Sequence, residues 1–498
     1  MSEAAQRRAI PDLQGLVPWL LFVLGVAIIW LPPRPPMVDI AQHAAQVAML
    51  RDLVLDRSAW AANLRVDLAT PYLVGYLLAL PLALIVSPLA ALKVVLTGAY
   101  AAFGLIGRAI GRELGAPAKL DAYYVLGFFG IAWSYGFYTF LVAAPAGLAF
   151  IWASLRYARG GGVGRGVLVS AAGLLTLFSH GFVFLFAAAI GLALLCLQAR
   201  TPRRIIARAW PFLAPLFACA ALAVPVGRNE AATVGHLGLA WEMGPPVVRA
   251  AMLLTGSFDD WTAPWAWAVG ALLFVLPFPS GLRLARGRLE AWVIVGGVAA
   301  LMLLAPFSVW ATNWVYPRFA LFVLPAYAWL FEAARPPARL RLLSTWLAGL
   351  VGALALSMHL AEESAFARET RDFDTVLARA EPGRRALSLI VDRRSDAAVN
   401  PLVYLHFPQW YAAEKGGFVD PSFALYPHMI VRLTHPGALP YDDPGFVLGG
   451  APTRLDPGLW GYVFVRGPVP APLLAAGSLT IVARAGPWTL LATQPGRR

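Results

Sequence analysis

The chain has 498 residues, 59% of them hydrophobic and 13% charged, with a mean hydropathy of +0.65. That is more apolar side chain than a soluble core of this length buries. The net charge of +13 resides almost wholly before residue 361, in short Arg and Lys clusters between apolar runs and without interleaved aromatics. This pattern excludes a nucleic-acid surface and matches the positive-inside bias of a membrane protein. The two cysteines, Cys196 and Cys219, lie inside apolar runs, so no disulfide framework or CxxC metal site is expected in the exposed parts.

The first apolar run follows Arg7 and Arg8. The bulky, proline-rich stretch from Trp30 to Pro36 offers no small-residue cleavage site, so the run reads as a retained signal anchor. Basic clusters at 7–8, 108–119, 156–165, 200–208, 283–288 and 335–341 mark cytoplasmic loops. Between them the predicted spans are 13–32, 88–107, 120–136, 137–155, 166–180, 181–199, 210–226, 263–280, 291–309, 317–332 and 343–360. Segment 71–87, bracketed by Pro71 and Pro88 and broken by Pro81, reads as a re-entrant or interfacial helix on the outer side, because a full crossing there would turn every later basic loop outward.

About eleven crossings then leave the C-terminus outside. The expected architecture is an α-helical polytopic membrane domain over 1–360, with outer loops 33–70 and 227–262, followed by a small extracytoplasmic α/β domain over 361–498. In that tail the pattern predicts a helix near 362–380, a strand at Arg385 to Val391, a helix near Val399 to Ala413, a strand at Tyr462 to Arg466, a short helix at 470–476 and a hairpin from Leu479 to Thr493 turned at Ala485 to Pro487. No GxGxxG or P-loop pattern is present.

Chemistry is expected on the outer face. In the first outer loop, Pro35-Pro36-Met37-Val38-Asp39-Ile40-Ala41-Gln42-His43 runs into an amphipathic helix that continues to about Asp56. Asp39 and His43, four apart, share a helix face. Asp39 is either a helix N-cap, a general base or a metal ligand. Arg318, at the outer start of an apolar span, either clamps a phosphate or snorkels to lipid headgroups. His180, at a span junction, and His236, in the second large loop, are further candidates to meet a phosphate or sugar, or else satisfied interfacial histidines. Asp259-Asp260 resembles a metal site and equally a turn cap. Trp133, Tyr135, Phe137 and Tyr138 form an aromatic group that fits a membrane-interface belt or a sugar-stacking surface, with Tyr138 the candidate contact. His406-Phe407-Pro408-Gln409-Trp410-Tyr411 either packs the tail or faces the membrane-domain cavity.

The order of parts around Asp39 resembles the GT-C superfamily of integral-membrane glycosyltransferases, especially bacterial relatives of the protein mannosyltransferase and aminoarabinose transferase families. Those parts are a first span, an acidic outer loop with a juxtamembrane helix, many further spans and an outer α/β domain. The resemblance implies an inverting transfer of sugar from a polyprenyl-phosphate donor to a hydroxyl acceptor, with Asp39 as the catalytic carboxylate. Many members carry two neighbouring acids in this loop; here the partner is His43, which would orient Asp39 or bond the departing phosphate, and a divalent metal stays open. The implied partners are a lipid-linked sugar and membrane lipids, with no nucleic acid, at the inner (plasma) membrane. Two other readings remain: a transporter or lipid flippase, against which stand the scarcity of ionisable residues within the spans and the lack of an evident inverted repeat, and a non-catalytic assembly subunit.

Overall fold

A computed structural model describes residues 13–233, 241–258, 262–309, 312–334, 338–435, 437–439, 459–471, 473 and 479–493. The main helices are α1 (Val17–Trp30), α2 (Ile40–Val54), α3 (Val74–Ala83), α4 (Pro88–Leu114), α5 (Tyr138–Gly160), α6 (Val163–Ser179), α7 (Gly181–Ala199), α8 (Trp210–Thr233), α9 (Pro246–Thr255), α10 (Pro264–Val275), α11 (Leu289–Leu304), α12 (Ala338–Glu369), α13 (Arg371–Arg379) and α14 (Gln409–Lys415). Among the described residues four helices are long and apolar enough to cross a membrane: α4, α5, α7 and Trp210–Arg228 of α8. Shorter apolar helices pack beside them, and Leu105, Leu175, Phe217 and Leu350 stay exposed, as side chains facing lipid do. The chain is a multi-pass membrane protein.

Local sequence explains where these helices begin and end. At the start of α4, the Ser87 hydroxyl accepts from Ala90 N at 3.2 Å and Pro88 occupies the first turn, where no amide donor is needed. Gly115, at φ +76°, closes the same helix. The segment before it contains only the ten-residue α3, which rises about 15 Å, half the hydrocarbon thickness.

Two expected spans are not continuous helices. Segment 120–136 is broken into short turns at Tyr123–Leu126, Gly127–Phe129 and Ile131–Ser134, and 317–332 into Pro317–Phe322 and Val323–Trp329. Both are enclosed by protein, which supplies the backbone partners that lipid cannot. Gly127 permits their contact: a Cβ there would lie 2.8 Å from Leu321 O. Apolar length alone does not distinguish such a buried, broken segment from a span.

The tail carries a five-stranded sheet. With β1 (Leu64–Val66) between α2 and α3, the tail strands are β2 (Arg385–Ile390), β3 (Phe418–Asp420), β4 (Val431–Leu433), β5 (Tyr462–Arg466), β6 (Leu479–Ala485) and β7 (Trp488–Thr493). Sheet order is β6-β7-β5-β2-β3, antiparallel across the first two pairings and parallel across the last two. The hairpin and the two predicted strands appear; β3 and β4, three residues each, were too short to show a period. The expected helix from Val399 is a run of turns that becomes α14 only at Gln409, after Pro408. The helix expected near 362–380 is two helices: α12 runs on past residue 361 to Glu369, and α13 follows. The predicted helix at 470–476 falls largely outside the described residues.

Loop and tail interlock. β1 pairs antiparallel with β4, Leu64 opposite Leu433 and Val66 opposite Val431, and Arg432 binds Asp67 at 2.6 Å. Gln46 donates to Val431 O and accepts from Val431 N, each at 3.0 Å. Arg34 forms ion pairs with Asp374 and, at 2.8 Å, Glu414, between the rings of Phe373 and Trp410. Helix α2 is therefore not a surface amphipath: Ile40 through Leu50 are all buried, its polar glutamines satisfied by tail backbone. The face of this helix that looks polar in sequence meets protein rather than water.

Candidate functional site

Asp39 stands at the N-terminal boundary of α2, but its side chain makes no capping hydrogen bond. The loop is fixed instead by backbone bonds to the corner before α5: Val38 N donates to Ser134 O at 3.2 Å and Asp39 N to Tyr135 O at 3.0 Å. Gly136, at φ +72°, makes this approach feasible, since a Cβ there would stand 3.0 Å from both Asp39 N and Ile40 N. The carboxylate is thus held in place by its backbone, and its oxygens are released from structural duty.

Four elements surround it. From the tail, His406 Nε2 lies 3.6 Å from Asp39 Oδ1. From the broken segment at 317–322, the Arg318 guanidinium acts electrostatically on the same carboxyl. From α2 and α3, His43 and Tyr76 bond to one another, Nδ1 to hydroxyl, at 2.6 Å. Burial pushes the Asp39 carboxyl up to about 7, Arg318 opposing it. Burial, with His406 and His428 adding to it, takes His43 down to about 3; burial takes His406 to about 4 and, with Arg318 and Arg432, His428 to about 4. At neutral pH these three histidines are uncharged, and Arg318 is the cation of the cluster.

Arg318 is 5% exposed, so it does not snorkel. Its Nε donates to Trp314 O at 2.9 Å and Nη2 to Asn313 O at 2.6 Å, and it stacks on Phe137 at 4.0 Å. Trp314 adopts φ +61°, a strained conformation for a tryptophan, in the turn that presents its carbonyl. Nη1 has no hydrogen-bond partner, and no carboxylate comes within 4.0 Å of the guanidinium, among the described residues. A buried cation held by carbonyls and a ring, without a counter-ion in contact, is arranged to receive an anion.

His180 lies beside this cation. Its ring is 4.8 Å from Tyr72 and 5.3 Å from Phe140, and Nδ1 accepts from Phe182 N at 3.2 Å, which leaves Nε2 as the donor. His428 also meets Tyr72, ring to ring at 4.9 Å and edge to face. The structure thus gathers Asp39, His43, His180 and Arg318 from three distant stretches of sequence. Tyr138 belongs to the same cluster, 5.5 Å from His43, yet its ring is fully buried and its hydroxyl donates to Gly75 O at 2.7 Å; it supports α3 and is not open to a ligand. His236 and Asp259-Asp260 lie outside the described residues. Of the aromatic group, Phe137 lies against the Arg318 guanidinium and Tyr135 stacks on Phe137, while Trp133 donates to Glu363 at 3.1 Å.

His428, and the role of Tyr72, escaped sequence reading; both sit in short loops with no periodicity to orient them. In the 406–411 segment, Phe407, Trp410 and Tyr411 pack the tail core, while His406 alone turns to Asp39. Among the described residues no three or more His, Cys, Asp or Glu side chains are grouped so as to hold a metal. The groups nearest Asp39 are a guanidinium, which has no lone pair to give, and the His406 imidazole, whose acceptor Nδ1 is taken by Gln42, a poor fit for a divalent cation, and the chemistry below uses the chain's own residues.

A helical membrane body with a half-buried carboxylate, closed over by a sheet-bearing tail, defines an architectural class that comparison with solved structures specifies. ArnT from Cupriavidus metallidurans bound to undecaprenyl phosphate superposes with TM-score 0.57 and 13% identity, over 96% of this chain and 98% of that one. The same protein in its apo state gives 0.52 and 13%, over 96% and 99%. The arabinofuranosyltransferase AftD from Mycobacteria gives 0.49 and 15%, over 97% of this chain and 41% of that one. No family model and no curated sequence matches. The chain therefore has the fold of ArnT, one of the aminoarabinose transferase relatives that the Asp39 loop was read as resembling.

Proposed function

We propose that the protein is an inverting glycosyltransferase that moves a sugar from a polyprenyl-phosphate donor to a hydroxyl acceptor at the outer face of the inner (plasma) membrane. The observation that carries this reading is the uncapped, half-buried Asp39 carboxylate beside a buried Arg318 cation without a counter-ion in contact. In the step proposed, the acceptor oxygen attacks the anomeric carbon from the face opposite the phosphate. Its proton passes to Asp39, and the bond from the anomeric carbon to the phosphate oxygen breaks with its electron pair going to the polyprenyl phosphate. Arg318, with two guanidinium nitrogens anchored and Nη1 open, and His180 through Nε2–H stabilise that leaving group. A site of the same fold that holds undecaprenyl phosphate in ArnT supports the donor class.

The test works whichever sugar the donor carries. Lipid-linked sugars extracted from the protein's own membranes are incubated with purified chain and an envelope fraction, and free polyprenyl phosphate is measured. Release by wild type and none by Asp39→Asn is expected; no release by a folded wild-type chain from any fraction would refute the transferase.

The kinetics should carry the signature of the base. Because Asp39 acts when ionised and its carboxyl is raised to about 7, kcat/KM rises with pH through about 7 and levels off above it. An acid limb near 4 would show that the working carboxylate is an ordinary exposed one.

The orientation follows from the basic clusters. Eleven crossings, two of them made by the broken segments 120–136 and 317–332 and with α3 short of spanning, leave the sheet-bearing tail extracytoplasmic, the side from which α2 and the Asp39 cluster are reached. A reporter active only outside the cytoplasm, fused after Arg498, is expected to be active; activity of a cytoplasmic reporter alone at that position would reverse the assignment.

A further inference from the structure

The orientation of one glutamine fixes the tautomer of a histidine supplied by the tail. Gln42 Oε1 accepts from Phe423 N at 3.0 Å, so its other terminal atom is the amide nitrogen. That nitrogen donates to Pro421 O at 2.8 Å and lies 3.2 Å from His406 Nδ1. An amide N–H facing Nδ1 requires Nδ1 to be the acceptor, and in a neutral imidazole the proton then sits on Nε2. It is Nε2 that faces Asp39 Oδ1, at 3.6 Å.

We propose that His406 is a positioning residue for the Asp39 base: its Nε2–H is directed at Oδ1, leaving Oδ2 for the acceptor hydroxyl, so that the tail completes the active site rather than merely covering it. The role as a base rests on the transferase reading above; the contact does not. The gap of 3.6 Å is beyond hydrogen-bond length, and shortens when a charged carboxylate is drawn toward the proton, as apo catalytic contacts commonly do. Gln42 is one turn from Asp39 on α2, and its partners Pro421 and Phe423 belong to the tail. The same side chain therefore registers tail against helix and sets the proton on His406. His406 is also the one polar side chain of its aromatic segment turned to the carboxylate, which packing of the tail core alone does not require.

The groups facing Asp39 are Arg318 from 317–322, His406 from the tail, and Tyr76 from α3, which is itself bonded to His43 of α2. Removing His406 deletes a donor to the ionised form while Arg318 and the pair remain. A carboxylate that loses such a donor becomes harder to ionise, by about one pH unit or more.

The experiment reads this without substrate. In detergent, the full chain and its Asp39→Asn variant are melted across pH 4 to 9. A carboxyl raised on folding costs stability as pH climbs from the unfolded value, and the cost stops growing at the folded one. The wild-type deficit relative to Asp39→Asn should therefore level off near 7. The same pair is then measured in His406→Phe, which keeps a ring against Phe423, and in His406→Gln, whose amide nitrogen can stand where Nε2–H stood. The level-off point should move up by about one pH unit in His406→Phe and return in His406→Gln, with kcat lowered roughly tenfold or more in the former and KM for donor little changed. An unmoved level-off in His406→Phe overturns the proposal, whatever becomes of the transferase reading. A moved level-off with full release of polyprenyl phosphate by Asp39→Asn instead overturns the base, and with it any catalytic purpose for the contact.

Discussion

Asp39→Asn should abolish transfer, lowering the rate by about 10²- to 10⁴-fold, in a protein that still inserts and folds. The substitution is nearly isosteric, and the bonds that hold the loop at Ser134 and Tyr135 are made by backbone, so geometry is retained. The amide cannot take up the acceptor's proton. Above pH 7 the variant should even melt higher than wild type, since it removes a buried charge whose carboxyl stands at about 7. Lost turnover with gained stability separates a base from a helix cap, whose loss would lower stability and leave chemistry alone. Near-normal turnover in Asp39→Asn would return the residue to structure.

The second large effect is expected at Arg318. Two of its nitrogens are engaged by Asn313 O and Trp314 O, so the guanidinium is held in one plane over Phe137. Arg318→Ala should weaken binding of undecaprenyl phosphate about ten- to hundredfold, the equivalent of roughly 1.5 to 3 kcal/mol for a charge-assisted bond. Arg318→Lys retains charge but not the planar fork, and should recover only part of that affinity. The measurement is lipid-phosphate affinity in nanodiscs beside thermal stability, because the freed carbonyls at 313 and 314 will also cost stability. Unchanged affinity in both variants, with stability alone reduced, would make Arg318 a purely structural cation.

The sequence made the general plan legible, and the reasons are physical. Lipid demands long apolar helices with basic cytoplasmic flanks, and these are read directly from composition along the chain. Tail strands such as Tyr462–Arg466, and the hairpin at 485–487, announce themselves by their β-branched runs and turn residues. Segments 120–136 and 317–332 misled because burial in protein and burial in lipid select the same side chains, while only the former tolerates a broken backbone. At the site, Asp39 and Arg318 stood out as lone charges next to apolar runs. Their neighbours did not: His406 and His428 come from the tail, at the far end of the chain from Asp39, through turns stitched to α2 by Gln42 and Gln46. No local pattern encodes that docking. His43, so suggestive at i+4 from Asp39, turns to Tyr76 instead, because the helix face it shares with Asp39 is closed by α3.

The most direct test of a lipid-phosphate donor at this cluster is a structure of the full chain in nanodiscs with added undecaprenyl phosphate. The account predicts phosphate density within hydrogen-bond reach of Arg318 Nη1 and His180 Nε2, with the isoprenoid leaving toward the outer leaflet and the phosphate on the Arg318 side of the space facing Asp39. Phosphate density elsewhere, with Arg318 and Asp39 unchanged from their present bonds, would contradict it.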